Sequence, residues 1–76
     1  MSERLPRVSA SELTRVLEKL GFKIARQSGS HRILKNEEGR RVTLPYHGGR
    51  ILHPKVLKSI LADADLTAEA LRELLR

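Results

Sequence analysis

The apolar pattern of this chain changes period at one glycine, and that change limits the folds open to it. Before Gly21, the residues Leu13, Val16, Leu17 and Leu20 recur at helical spacing; after it, Phe22-Lys23-Ile24-Ala25-Arg26-Gln27 alternates apolar with polar. The first pattern is one face of an amphipathic helix and the second a half-buried strand. The helix start is equally marked. Ser9 stands where a cap belongs, Glu12 three residues on completes a capping box, and Val8 with Leu13 can close a hydrophobic staple. Gly21 suits a left-handed C-terminal cap. The spacing predicts a helix over about 10–20 and a strand directly after it.

Ser28-Gly29-Ser30 breaks that strand. His31 to Lys35 forms a second, Asn36-Glu37-Glu38-Gly39 a tight turn, and Arg40 to Leu44 a third. Strands joined by such short turns make an antiparallel meander. Its core positions are Phe22, Ile24, Val42, Leu44 and one of Ile33 or Leu34. Pro45 ends the third strand because it cannot donate a ladder bond. Tyr46-His47-Gly48-Gly49-Arg50 is a loop. Pro54 suits the first turn of a second helix, whose face is Val56, Leu57, Ile60 and Leu61. Thr67 caps a short last helix with Leu71, Leu74 and Leu75, a stripe open to being core or partner surface. The order α-β-β-β-α plus a C-terminal helix defines an α+β fold: a three-stranded antiparallel sheet with helices on one face.

The length of 76 residues holds one small domain. The chain has no cysteine, which excludes disulfides and thiolate metal sites and fits a reducing compartment. No apolar run approaches the roughly 20 residues of a membrane span. The polar start, Met1 to Arg7, lacks the apolar region of a signal peptide. A soluble cytoplasmic protein is expected. Net charge is +6, and five units of the excess fall in residues 1–35. A polyanion would be drawn there, because each neutralised phosphate releases counterions. The two aromatics, Phe22 and Tyr46, are too few for a platform on which successive bases stack.

Four segments together resemble the HicA-like toxins, the small mRNA interferases of HicA–HicB toxin–antitoxin pairs. They are Leu20-Gly21-Phe22 at the first helix end, Gly29-Ser30-His31, Val42-Thr43-Leu44-Pro45-Tyr46-His47, and Leu57 with Ile60-Leu61. The resemblance covers roughly residues 9–66 and leaves 67–76 as an extension. The start of the second helix departs from it: where the family often has Lys-x-Gly-Thr-Leu, this chain reads His53-Pro54-Lys55-Val56-Leu57. The resemblance implies a double-stranded-RNA-binding-domain-like fold, a catalytic histidine at His31, mRNA as substrate and a HicB-like antitoxin as partner. No cofactor and no membrane contact are expected.

RNA can be cut without a metal when its own 2′-hydroxyl attacks the adjacent phosphorus. A base must take the 2′ proton, an acid must serve the 5′-oxygen, and cations must hold the phosphorane charge. The ordinary pKa of a histidine side chain, about 6.5, suits either proton transfer. His31 is the candidate, with Gly29, Ser30, Arg32, Lys35 and His47 as auxiliary or phosphate-contacting residues. Strict alternation puts Lys35, but not Arg32, on the face of His31. Lys23, Arg26, Arg40 and Arg41 are candidates for an RNA-binding basic patch. His53 reads as a helix N-cap. His31, His47 and His53, with no cysteine and no adjacent carboxylate, are a poor match to known zinc spacings. The plainer alternatives are a turn histidine, a non-catalytic RNA-binding module of the same fold, and an interaction domain whose charge only confers solubility.

Overall fold

The computed structural model describes residues 5–47 and 49–76. The polar start over residues 1–4 and Gly48 of the 46–50 loop lie outside the described residues. The elements run α1 (Ala10–Lys19), β1 (Lys23–Ser28), β2 (His31–Lys35), β3 (Arg41–Pro45), α2 (Pro54–Ala64) and α3 (Ala68–Leu74). The fold is α+β, with one antiparallel sheet in the order β1-β2-β3.

Local chemistry sets the ends of α1. The Glu12 amide donates to Ser9 Oγ at 3.1 Å, and the Ser9 amide donates to Glu12 Oε1 at 2.9 Å. This reciprocal pair is the capping box. Val8 and Leu13 are both buried beside it. At the other end Gly21 adopts φ +96, its amide reaches the Glu18 carbonyl at 3.1 Å, and the Phe22 amide reaches Leu17 at 3.0 Å. Those two bonds are the Schellman pattern, which satisfies the orphan carbonyls and turns the chain into β1. The segments leading into α1 and α2 are tied together: the Leu52 amide donates to the Val8 carbonyl at 2.8 Å, and Ser9 bridges to Ile51.

The core is one apolar layer between the helices and one face of the sheet. Leu34, Val42 and Leu44 supply the sheet side, with Leu13, Leu17, Leu57 and Leu71 among the fully buried helix residues. Leu34, not Ile33, is thus the core residue of β2. In α3, Leu71 is fully buried and Leu74 and Leu75 pack against the core. Lys19 Nζ also donates to the Leu74 carbonyl at 3.1 Å.

Two core expectations need correction. Leu20 and Ile24 are 40% and 42% exposed, and β1 is exposed along its whole length rather than half-buried. Leu20 is the C-cap of α1, where the chain leaves the helix. Ile24 faces the covered side opposite Leu34, but β1 is an edge strand and α2 lies over β3 at the other edge. The helices do not reach far enough to cover it.

Candidate active site

His31 is the first residue of β2, the central strand. It pairs with Ser28 across a two-residue loop, Gly29-Ser30, and with Pro45 on the other side. Gly29 holds φ +57, and glycine at the first central position with positive φ is the mark of a II′ hairpin turn. A Cβ built on Gly29 would meet nothing within 4 Å. The glycine is therefore required by its backbone angle, and the space around it is open. The Ser30 carbonyl accepts the Tyr46 amide at 2.6 Å, which fastens the start of β2 to the exit of β3. His31 is thus an exposed imidazole on a fixed backbone, with no hydrogen-bond partner among the described residues.

The register sorts the remaining candidates by face. Lys23, Lys35 and Arg41 form one row across the open face. The next row is Arg26, Ile33 and Thr43; the last is Ser28, His31 and Pro45. A shift in register between Ile24 and Arg26 puts Arg26 on this face. At about 3.3 Å per residue, Lys35 lies roughly 13 Å along the strand from His31, and Arg26 about half as far. The cations therefore line an approach to the histidine. None of the four is ion-paired among the described residues. Like charges directly opposite one another weaken a sheet, so the row Lys23–Lys35–Arg41 is a cost to the free protein.

Two arginines stand apart from this patch. Arg40 precedes β3 and turns toward the end of α2. Its Nη1 donates to the Asp63 carbonyl at 3.1 Å, and Nη2 lies 3.7 Å from Asp65 Oδ2. A cation at a helix C-terminus is favoured by the helix dipole. Arg32 points to the covered side, paired with Leu44 across the strands. Its guanidinium carbon sits 3.7 Å from the centroid of the Tyr46 ring, and its Nε is buried without a hydrogen-bond partner among the described residues. A buried donor left so costs on the order of 1–3 kcal/mol.

Tyr46 is the residue that sequence reasoning missed. Its hydroxyl and Ser11 Oγ are 2.9 Å apart, which links the β3 exit to α1. The Ser11 hydrogen bond holds the phenol below its ordinary value near 10, with help from the charge and hydrogen bonding of Arg32 and the Arg15 charge, and against desolvation. The one available signal was an aromatic following Pro45 two residues beyond the partner of Arg32, and that is visible only once the register is known.

His47 is exposed two residues beyond Pro45, and its carbonyl accepts the Arg50 amide at 3.3 Å in a turn. His53 caps α2, with Nδ1 accepting the Lys55 amide at 3.1 Å. Pro45, His47, Arg50, Ile51, Leu52, His53 and Val56 line a shallow depression of about 270 Å³. Among the described residues no three His, Asp or Glu side chains converge as metal ligands would.

The molecule is a small α+β module in which the candidate histidine, His31, and the cations Lys23, Arg26, Lys35 and Arg41 share one open sheet face. A family model for the HicA toxin of bacterial toxin–antitoxin systems matches residues 10–66, and the chain belongs to that family. The match runs from the start of α1 to just past α2 and leaves α3 outside it. No curated protein matches the chain. Membership makes it the toxin of a toxin–antitoxin pair and implies an antitoxin partner. No helix among the described residues is long and apolar enough to cross a membrane.

Proposed function

We propose that this toxin is a metal-independent endoribonuclease that cleaves mRNA in the cytoplasm and so halts translation. One observation carries the reading: among the described residues, His31 is exposed and without a hydrogen-bond partner at the end of a sheet face whose other rows hold four cations without an ion pair. The 2′-hydroxyl of the substrate is the nucleophile. His31 takes its proton or protonates the leaving 5′-oxygen. Lys23, Arg26, Lys35 and Arg41 hold the phosphates of the approaching strand, and Ser30 donates to the phosphate at the cut. A HicB-like antitoxin neutralises the toxin by covering the His31 end of the sheet.

The test is incubation of end-labelled RNA with the purified chain in a chelating agent. Cleavage to a 2′,3′-cyclic phosphate end is expected, and a folded His31→Ala chain that cuts equally well defeats the assignment. A binding-only reading draws on the lack of a hydrogen-bond partner that would orient the His31 ring among the described residues. It predicts retention of RNA by the wild-type chain without cleavage.

A further inference from the structure

The covered side of the sheet carries its own cationic group at the His31 end. We propose that Arg32 and Arg15, scaffolded by Tyr46 and Ser11, bind a second phosphate of the same RNA strand, next to the one at His31. This rests on the ribonuclease reading. It adds a site on the opposite side of the sheet from the open cationic face.

Three elements fix Arg32. It lies on β2, stacks at 3.7 Å on the ring of Tyr46 at the exit of β3, and that ring is pinned by Ser11 of α1 at 2.9 Å. Stacking sets the plane of a guanidinium and leaves its edge free, which is the geometry of two-pronged phosphate binding. No carboxylate is paired with Arg32 or Arg15 among the described residues. The buried Nε of Arg32 is a donor with no acceptor among the described residues. Buried polar atoms in native structures are rarely left so, and a bound anion is one of the few explanations. Arg15 follows Ser11 by four residues, so it lies on the same face of α1, and its charge acts on the Tyr46 phenol.

The path between the two sites is short. His31 and Arg32 are consecutive, with Cα atoms about 3.8 Å apart and side chains on opposite faces. They lie at the strand end, where the space beside Gly29 is open. An RNA strand folding over this end meets His31 on one side and Arg32 with Arg15 on the other. The second site fixes the strand across the cut, making Arg32 a positioning residue.

The experiment measures binding of a fluorescent RNA oligonucleotide over a salt series, in the His31→Ala background so that binding is read without cleavage. The variants are Arg32→Met, Arg32→Lys and Arg15→Gln. Arg32→Met is expected to weaken binding about tenfold or more, the size of one charge-assisted hydrogen bond. It should also flatten the log–log salt slope by about 0.7, the value for one phosphate on a single strand. Arg32→Lys restores the slope but not the affinity, because the charge remains and the stacked fork is lost. Arg15→Gln, at an exposed helix position, gives the same flattening with a smaller loss, and it decides the matter if Arg32→Met does not fold. A purely structural Arg32 would leave the slope unchanged. Unchanged slopes in folded variants, with RNA still cut by the wild-type chain, overturn this site and leave the ribonuclease reading standing. A wild-type chain that neither binds nor cuts RNA overturns both.

Discussion

On the covered face of the sheet, one row reads Ile24, Leu34, Val42; on the open face the row beside it reads Lys23, Lys35, Arg41. The two rows share the same three strands and alternate along them. Leu34 and Val42 are fully buried, whereas the three cations are exposed and face one another with no ion pair among the described residues. The first row holds the fold together. The second row weakens it, a cost that the proposed RNA contact would offset. Stability and the proposed substrate contact are thus separated by a single residue step, and substitutions on the two faces should have separable effects.

The largest expected separation is at His31. His31→Ala should lower RNA cleavage by about 10²–10⁴-fold and leave the thermal midpoint by circular dichroism where it was. Leu34→Ala should act the opposite way, costing about 2–5 kcal/mol. A core of this size supplies roughly 3–5 kcal/mol, so urea titration should find much of that chain unfolded. Gly29→Ala comes next, at about 1–2 kcal/mol for a side chain in the left-handed region. Urea titration reads it as strain alone, since the added methyl meets no neighbour. Lys35→Thr should raise stability by a few tenths of a kcal/mol by relieving the like-charge row. The same change should flatten the salt slope of RNA binding by about 0.7. Opposite signs from one substitution would sharpen the contrast between the faces, and a loss of both would break it.

The smallest effect is spectroscopic. Tyr46 is the single tyrosine and the chain has no tryptophan, so the tyrosinate absorbance band reports this phenol alone. It should ionise below its usual value near 10, and Ser11→Ala should raise it again. An acid with a lowered folded-state pKa binds fewer protons folded than unfolded between the two values. Stability should therefore rise slightly with pH across that window and fall back as the pH drops through it.

What the sequence made legible was local. The box at Ser9 and Glu12, the Gly21 turn and the Gly29-Ser30 break each depend on residues a few positions apart, and each sits where its spacing puts it. The face shared by His31 and Lys35 followed from alternation alone. What was not legible depended on registers and on where the helices lie. The exposure of Ile24 follows from β1 being the far edge, which no periodicity encodes. Arg26 joins the cations through a register shift. Arg40 leaves them because Asp63 and Asp65 end α2 beside it. The Arg32–Tyr46–Ser11 chain joins residues up to 35 positions apart, across three elements.

The irregularity in β1 has a consequence for the behaviour of the protein in quantity. An edge strand with open amide and carbonyl groups is a template on which a second molecule can stack. Here the register slips between Ile24 and Arg26, and Lys23 and Arg26 crowd the same margin with positive charge. Another copy of β1 approaching this rim meets both a broken hydrogen-bond ladder and its own repelling charges. Concentrated solutions of the toxin should therefore stay dispersed at low ionic strength. Added salt screens those charges and leaves the broken ladder as the remaining barrier.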